Sequence, residues 1–210
     1  MFRNRDDAGR QLADVVVDLR DDHPVVLGLP RGGVPVAAIV ARALNAPLDV
    51  IIVRKIGVPG HPEFAVGAIG EGGVRLLDEA LASRLHIDPY ALARVEDDER
   101  RELDRRVLAL RNEHAAVDLN DRTALIVDDG LATGATARAA CLVARARGAE
   151  RVIVAVPCAP DDAARDLPEA DELRSVILSR SFSAVGKFYA NFDQVSDAEV
   201  LALLREARER

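Results

Sequence analysis

The sequence predicts an α/β fold in which a mainly parallel sheet is covered by helices on both faces, in a doubly wound arrangement. Short apolar runs alternate with helical patterns along the chain, and those runs are apolar throughout, which is typical of strands buried on both faces. The 210 residues, close to half of them apolar, can bury one core. The predicted strands are 25–29, 49–53, 124–127, 151–156 and 175–178, and the predicted helices 8–19, 34–44 and 135–147.

We expect a single domain over residues 1–210, with a hairpin inserted in the sequence between the two parts of its core. Residues 65–69 and 74–77 flank a Gly-rich turn like the two arms of a hairpin. A long charged segment follows, and its acidic and basic residues at four-residue spacing indicate a solvated helix. The predicted parts are the core at about 20–57 and 120–180, the flexible loop 57–77, the charged helix 88–113 and the C-terminal segment 180–210.

Composition and charge exclude several classes of function. The net charge of −7 argues against nonspecific nucleic-acid binding, which needs a basic face to release counterions. Two distant cysteines, Cys141 and Cys158, fit small buried residues better than a disulfide or a metal site. The charged N-terminus lacks the apolar stretch of a signal peptide, and no apolar run is long enough to span a membrane. A cytoplasmic location is expected.

Two acids followed by a turn of small residues predict a site for a phosphorylated sugar. Asp128 and Asp129 end the run 124–127, and the turn that follows leads into the predicted helix 135–147. Amide groups of such a turn converge on one point, where the helix dipole also favours an anion. The acids would repel that anion, so they suit sugar hydroxyls or a hard cation. The alternative interpretation is an ordinary strand-turn-helix connection with an exposed acidic pair. The turn, called the anion turn below, consists of Gly130, Leu131, Ala132, Thr133, Gly134, Ala135 and Thr136.

Two basic segments follow the first two predicted strands. The Arg-Gly-Gly turn (Arg31, Gly32 and Gly33) offers a fixed cation and close backbone N–H groups to a diphosphate. Arg54 and Lys55 place two further cations at the end of the next predicted strand. Because the carboxyl ends of parallel strands share one edge, where ligands bind, these residues are expected near the acids. An ordinary turn and two surface charges are the alternative interpretation.

The acid pair with its anion turn resembles the phosphoribosyl-diphosphate signature of the type I phosphoribosyltransferases, most closely a subgroup of stand-alone bacterial members with undefined acceptor. The resemblance implies that Asp128 and Asp129 hold the ribose hydroxyls and that the anion turn holds the 5-phosphate. It also implies that the Arg-Gly-Gly turn is the diphosphate loop, which often contains a non-proline cis peptide. Arg54 and Lys55 resemble the Arg-Lys pair of adenine and xanthine phosphoribosyltransferases.

The same resemblance implies a mobile loop and a C-terminal hood. Glu63, in the loop that would close over the reacting centre, is the carboxylate expected to act as base or charge stabiliser. His61 could contact substrate, although a lone loop histidine is usually only solvated. The hood (residues 180–210) would receive the acceptor, with Phe182 or Tyr189 stacking on it; burial against the sheet edge is the alternative for these aromatics.

The implied reaction joins a nitrogen of a small acceptor, such as a nucleobase, to C1 of phosphoribosyl diphosphate and releases diphosphate. Mg2+ would be held mainly through ligand oxygens, with Asp128 and Asp129 as candidate protein ligands. A homodimer is one assembly that the resemblance allows. The main alternative is a regulator of the same fold that senses phosphoribosyl diphosphate without turnover. A nucleotide hydrolase is a third interpretation, but no base for its water is evident.

Overall fold

The fold was analysed in a computed structural model. It describes residues 1–111 and 115–209, and the side chain of Glu63 lies outside the described part. The strands are β1 (Val25–Gly28), β2 (Leu48–Val50), β3 (Val53–Val58), β4 (His61–Gly70), β5 (Val74–Leu77), β6 (Thr123–Val127), β7 (Arg151–Pro160) and β8 (Glu172–Ser179). The helices are α1 (Arg5–Val15), α2 (Gly33–Leu44), α3 (Glu79–Arg84), α4 (Pro89–Arg111), α5 (Ala135–Ala146) and α6 (Asp197–Arg208).

The main sheet has five parallel strands in the order β2-β1-β6-β7-β8. β1 and β6 are buried along nearly their whole length because helices cover both faces of the sheet. α1, α2 and α6 pack in one apolar cluster, and α5 packs in the other. The predicted α/β class with a mainly parallel sheet is confirmed.

A second sheet departs from the sequence-based prediction. The predicted strand 49–53 is wrong as one element, because the chain leaves the main sheet after Val50 and enters an antiparallel sheet at Val53. This small sheet has the order β3-β4-β5 and includes the segment predicted as a flexible loop. It packs between α4 and α5. The mobility expected for residues 57–77 stays a prediction.

A buried network of charges ties the small sheet to the main sheet. Asp49, in β2, has no exposed side-chain surface and is bonded by the guanidinium of Arg111 at the end of α4. Arg111 also donates to Glu71 at 2.8 and 2.9 Å and to the Val50 carbonyl at 2.8 Å. Arg147, which directly follows α5, donates to Glu71 at 3.1 Å. Each buried charge therefore has a partner, as burial requires.

The C-terminal helix begins with a side-chain cap. The Ser196 hydroxyl accepts the Glu199 N–H at 3.1 Å, which satisfies one of the free amides in the first turn of α6. Among the described residues, no helix is long and apolar enough to cross a membrane. The cytoplasmic location stays a prediction.

Candidate active site

The adjacent strands β1 and β6 bring the two predicted turns together at one edge of the sheet. The Leu29 N–H donates to the Val127 carbonyl at 2.9 Å, which extends the β1–β6 pairing to the point where both turns begin. A Cβ added to Gly33 would lie 2.5 Å from the Val127 carbonyl oxygen and 2.8 Å from the Asp128 Cα. A Cβ on Gly32 would collide with Oδ2 of Asp129. Both glycines are thus required for the Arg-Gly-Gly turn to lie directly against the acid pair.

The Arg-Gly-Gly turn contains the backbone feature that the family resemblance implied. The peptide bond between Pro30 and Arg31 is cis, although Arg31 is not a proline. The Arg31 side chain is exposed, and its nearest recorded acid is Asp197 in the first turn of α6, at 3.9 Å. A surface ion pair of this length contributes little to stability, so the guanidinium can turn toward an incoming anion at a small cost in free energy.

Asp129 is held by an arginine that the sequence-based interpretation missed. Nε and Nη2 of Arg5, the first residue of α1, donate to Oδ2 of Asp129 at 2.9 and 2.8 Å. Nη1 of Arg5 donates to the Asp193 carbonyl at 2.6 Å, and the guanidinium lies 4.1 Å above the ring centre of Phe192. The side chains of Arg5 and Asp129 are only 13% and 14% exposed, so this is a largely desolvated pair.

The two acids have different surroundings. Oδ1 of Asp128 accepts the Asp129 N–H at 2.9 Å. Burial, together with the charge of Asp129, raises the pKa of the Asp128 carboxyl well above its ordinary value. Burial also raises the pKa of Asp129, while the hydrogen bonds and the charge of Arg5 act in the opposite direction. A ligand that brings positive charge or hydroxyl donors would therefore relieve the acid pair.

The anion turn presents unpaired amide groups at the start of α5. Gly134 has a left-handed backbone, with φ of 71°, and the earliest helical bond runs from the Arg138 N–H to the Gly134 carbonyl at 2.8 Å. Within the described residues, the amides of positions 132–137 find no acceptor in the protein. Thr133 and Thr136 are exposed beside them. This arrangement can bind a phosphate through backbone donors and two hydroxyls.

Comparison with known proteins shows the family. The model of the phosphoribosyl transferase domain matches residues 4–193. The chain belongs to the phosphoribosyl transferase domain family. Two proteins from different Mycobacterium tuberculosis strains, whose names contain the words phosphoribosyl transferase, are each 52% identical over 99% of this chain. The chain spans about half, 47%, of the length of these two relatives.

Solved structures support the same fold. The crystal structure of TT1426 from Thermus thermophilus is similar with a TM-score of 0.87 and 42% identity, over 98% of both chains. A Neisseria gonorrhoeae protein solved with bound ppGpp has a TM-score of 0.51 at 15% identity over 99% of both chains, and it shows the fold alone. The parallel sheet and its covering helices lie within residues 4–193, which the phosphoribosyl transferase domain model matches, apart from the C-terminal helix α6.

The structure places the predicted Arg-Lys pair near the beginning of β3 in the small sheet, and not at the carboxyl end of a strand of the main sheet. Both residues lie inside β3, where Nε of Arg54 binds Glu99 of α4 at 2.6 Å. Lys55 follows on the opposite face of the strand, the face toward α5. The side chain of Glu63 falls outside the described residues, so its catalytic role stays a prediction.

The aromatic residues of the hood form two groups. Tyr189 is 5% exposed; its ring packs on Phe2 and Phe192, and its hydroxyl donates to the Asp129 carbonyl at 2.5 Å. Phe182 is half-buried and stacks on Phe188 with ring centres 5.1 Å apart. Tyr189 thus supports the acid pair, and stacking on an acceptor stays a prediction for both Phe182 and Tyr189.

An apolar cavity of about 520 Å³ lies beside the anion turn of the phosphoribosyl transferase domain. The cavity lies between the β4–β5 hairpin and the first half of α5, and Thr133 lines it. The half-exposed ring of Phe64 lines the same cavity. Its size is in the range of small-ligand pockets, so an apolar group can be accommodated next to the turn.

Proposed function

We propose that this protein transfers the phosphoribosyl group of phosphoribosyl diphosphate to a nitrogen of a small acceptor. The observation that carries the proposal is the contact of the Arg-Gly-Gly turn with the acid pair, next to a turn with unpaired amides. Sites for diphosphate, a diol and a phosphate therefore adjoin one another in the order in which these groups occur on phosphoribosyl diphosphate. Membership of the phosphoribosyl transferase domain family supports the same assignment.

The protein's own groups would act mainly by positioning and by electrostatics. The anion turn would fix the 5-phosphate, and Asp128 and Asp129 would accept hydrogen bonds from the ribose hydroxyls. The amide of Gly32, with the Arg31 guanidinium, would bind the diphosphate, whereas the Gly33 N–H already donates to the Leu29 carbonyl at 3.0 Å. As the acceptor nitrogen forms its bond to C1, the C1–O bond to diphosphate breaks, and the nitrogen loses its proton. Glu63 is the proposed base or charge stabiliser for that step.

The residues present fit a magnesium ion that is held largely by its ligand. Among the described residues, no group of three or more His, Cys, Asp or Glu side chains could hold a metal. Asp128 and Asp129 supply carboxylate oxygens where the ribose and diphosphate would meet, and Mg2+ is usually bound through one or two carboxylates plus phosphate oxygens. When bound, the ion would neutralise charge on the leaving diphosphate.

The acceptor would bind under the hood. Phe182 is the better placed of the two predicted aromatics, because Tyr189 is buried and its hydroxyl is bonded to Asp129. The Phe182–Phe188 stack offers a flat apolar surface on which an aromatic base could extend the stack. A homodimer remains one assembly that the family resemblance allows.

The test is diphosphate release from phosphoribosyl diphosphate with Mg2+, across a panel of purines, pyrimidines and simple amines. Release with one acceptor supports the transferase and identifies the acceptor. The double variant Asp128→Asn/Asp129→Asn should abolish release. The exposed neighbours Asp97 and Asp98 on α4 provide the matched control, Asp97→Asn/Asp98→Asn, which should release diphosphate normally. Tight binding without release for any acceptor would overturn the transferase and favour the regulator.

A further inference from the structure

Arg5 touches three separate parts of the candidate site. Its guanidinium makes two hydrogen bonds to Asp129 and lies above the ring of Phe192 in the hood. A Cβ on Gly32 would lie 3.3 Å from its Nη2, so Arg5 also borders the Arg-Gly-Gly turn. The planar fork of an arginine fixes the direction of a carboxylate better than a single ammonium can.

The acid pair is therefore asymmetric. Both donors of Arg5 converge on Oδ2 of Asp129, the same oxygen that Gly32 packs against. Tyr189 fixes the main chain of Asp129 through the carbonyl oxygen. Within the described residues, the only recorded hydrogen bond to the carboxylate of Asp128 is the neighbouring Asp129 N–H. Asp129 is thus oriented from two sides, while Asp128 keeps most of its hydrogen-bonding capacity for a ligand.

We infer that Arg5 is a positioning residue for the sugar site: it locks Asp129 in one orientation and sets the direction of the acid pair toward the ribose hydroxyls. Arg5 acts through Asp129 and does not contact the phosphate held by the anion turn. The inference rests on the proposed function in so far as the ligand is a ribose phosphate. It assigns to the N-terminal helix a part of the site that otherwise consists of strand ends and turns.

The experiment compares two ligands that share the phosphate and differ in the sugar. Ribose 5-phosphate would use both the acid pair and the anion turn, whereas inorganic phosphate would use the anion turn alone. Arg5→Gln should weaken ribose 5-phosphate binding about 10- to 100-fold, which is roughly the contribution of one hydrogen bond between a ribose hydroxyl and a correctly oriented carboxylate. The affinity of the Arg5→Gln variant for inorganic phosphate should be unchanged. Both affinities are measured by calorimetry.

Two further variants separate positioning from a general structural effect. Arg5→Lys keeps the charge but loses the fork, so it should recover part of the ribose 5-phosphate affinity that Arg5→Gln loses. Arg10→Gln is the matched control on the same helix, because Arg10 is 64% exposed and its one recorded ion pair with a described residue is to Asp6, at 4.0 Å. That variant should bind both ligands like the unmodified protein.

The outcomes separate this inference from the proposed transfer reaction. A selective loss of ribose 5-phosphate, partly restored by lysine, supports Arg5 as the positioning residue even if diphosphate release is never seen. Equal losses of both ligands in Arg5→Gln, or no loss of either, would overturn the inference and leave the transferase untouched. If the unmodified protein binds phosphate but not ribose 5-phosphate, the sugar site itself is absent, and both the inference and the proposed function are overturned.

Discussion

The Tyr189 hydroxyl donates a 2.5 Å hydrogen bond to the main-chain carbonyl of Asp129, which connects the hood to the acid pair. The ring of Tyr189 packs against Phe2 and Phe192, and the side chain is almost completely shielded from solvent. Residues from both ends of the chain thus meet at the second acid of the motif.

Tyr189→Phe should destabilise the protein by about 1–2 kcal/mol, because it removes a buried hydrogen bond and leaves the Asp129 carbonyl without this donor. The same variant should weaken ribose 5-phosphate binding. Denaturant unfolding and calorimetry measure the two effects. Tyr90→Phe is the control, since Tyr90 is 83% exposed and should change neither quantity. Equal stability of the two variants would show that the Tyr189 hydroxyl contributes nothing.

Asp128→Asn should raise the melting temperature of the unliganded protein at pH 7 while abolishing ribose 5-phosphate binding. The folded-state pKa of Asp128 lies above its ordinary value of 3.8, so ionisation favours the unfolded chain as the pH rises. The gain should be absent below about pH 3.8, grow as the pH rises through the folded-state pKa and then level off. Melting curves from pH 4 to 8 check this, and a gain that shrinks with rising pH would contradict it.

Gly33→Ala should disrupt the contact between the two turns. Its Cβ would lie 2.5 Å from the Val127 carbonyl oxygen, so one of the two backbones must move. Overpacking of this kind typically costs about 1–3 kcal/mol, and ribose 5-phosphate binding should fall with it. Gly60→Ala is a useful comparison, because its φ of 83° is strained for alanine but no atom lies within 4 Å of the new Cβ. That variant should lose stability without losing ligand binding.

Arg111→Met should be the most destabilising of these changes, by about 3–5 kcal/mol, because it leaves the buried Asp49 without its main counter-charge. Arg101→Met, on the same helix, removes a surface pair whose arginine is 75% exposed and should cost less than about 1 kcal/mol. Denaturant unfolding of both variants checks the difference. Similar costs would mean that the buried network contributes no more than a surface pair.

The sequence predicts those parts of the site that are local in the chain. Asp128 to Thr136 and Arg31 to Gly33 each follow an apolar strand, and the order of residues alone indicates a turn that binds anions. Their proximity also follows from the rule that parallel strand ends share an edge. Arg5 was missed because its partner Asp129 is 124 positions away, and nothing around Arg5 distinguishes it from other surface arginines.

The first strand of the small sheet, β3, was missed for a related reason, whereas the β4–β5 hairpin was predicted. Residues 49–53 consist of one acid, Asp49, followed by four apolar residues, and this pattern is typical of a single strand. The chain changes sheets here because Asp49 is bound by Arg111, 62 positions away, and because Val53 pairs with Gly70. A buried acid in an apolar run was the available signal, since such a group requires a partner that local patterns do not reveal.

The pairing of β1 with β6 joins Val25 to Ala124, with the whole small sheet and α4 between them in sequence. Contacts between such distant segments form slowly, because the entropy of closing the intervening chain is lost before the contacts are gained. The entropy of that closure must be offset before the Arg-Gly-Gly turn and the acid pair can become neighbours. A ribose phosphate that contacts both the turn and the acid pair would bind only the folded protein. Such a ligand would shift the folding equilibrium toward the native state, and the amount of ligand bound would measure the folded fraction.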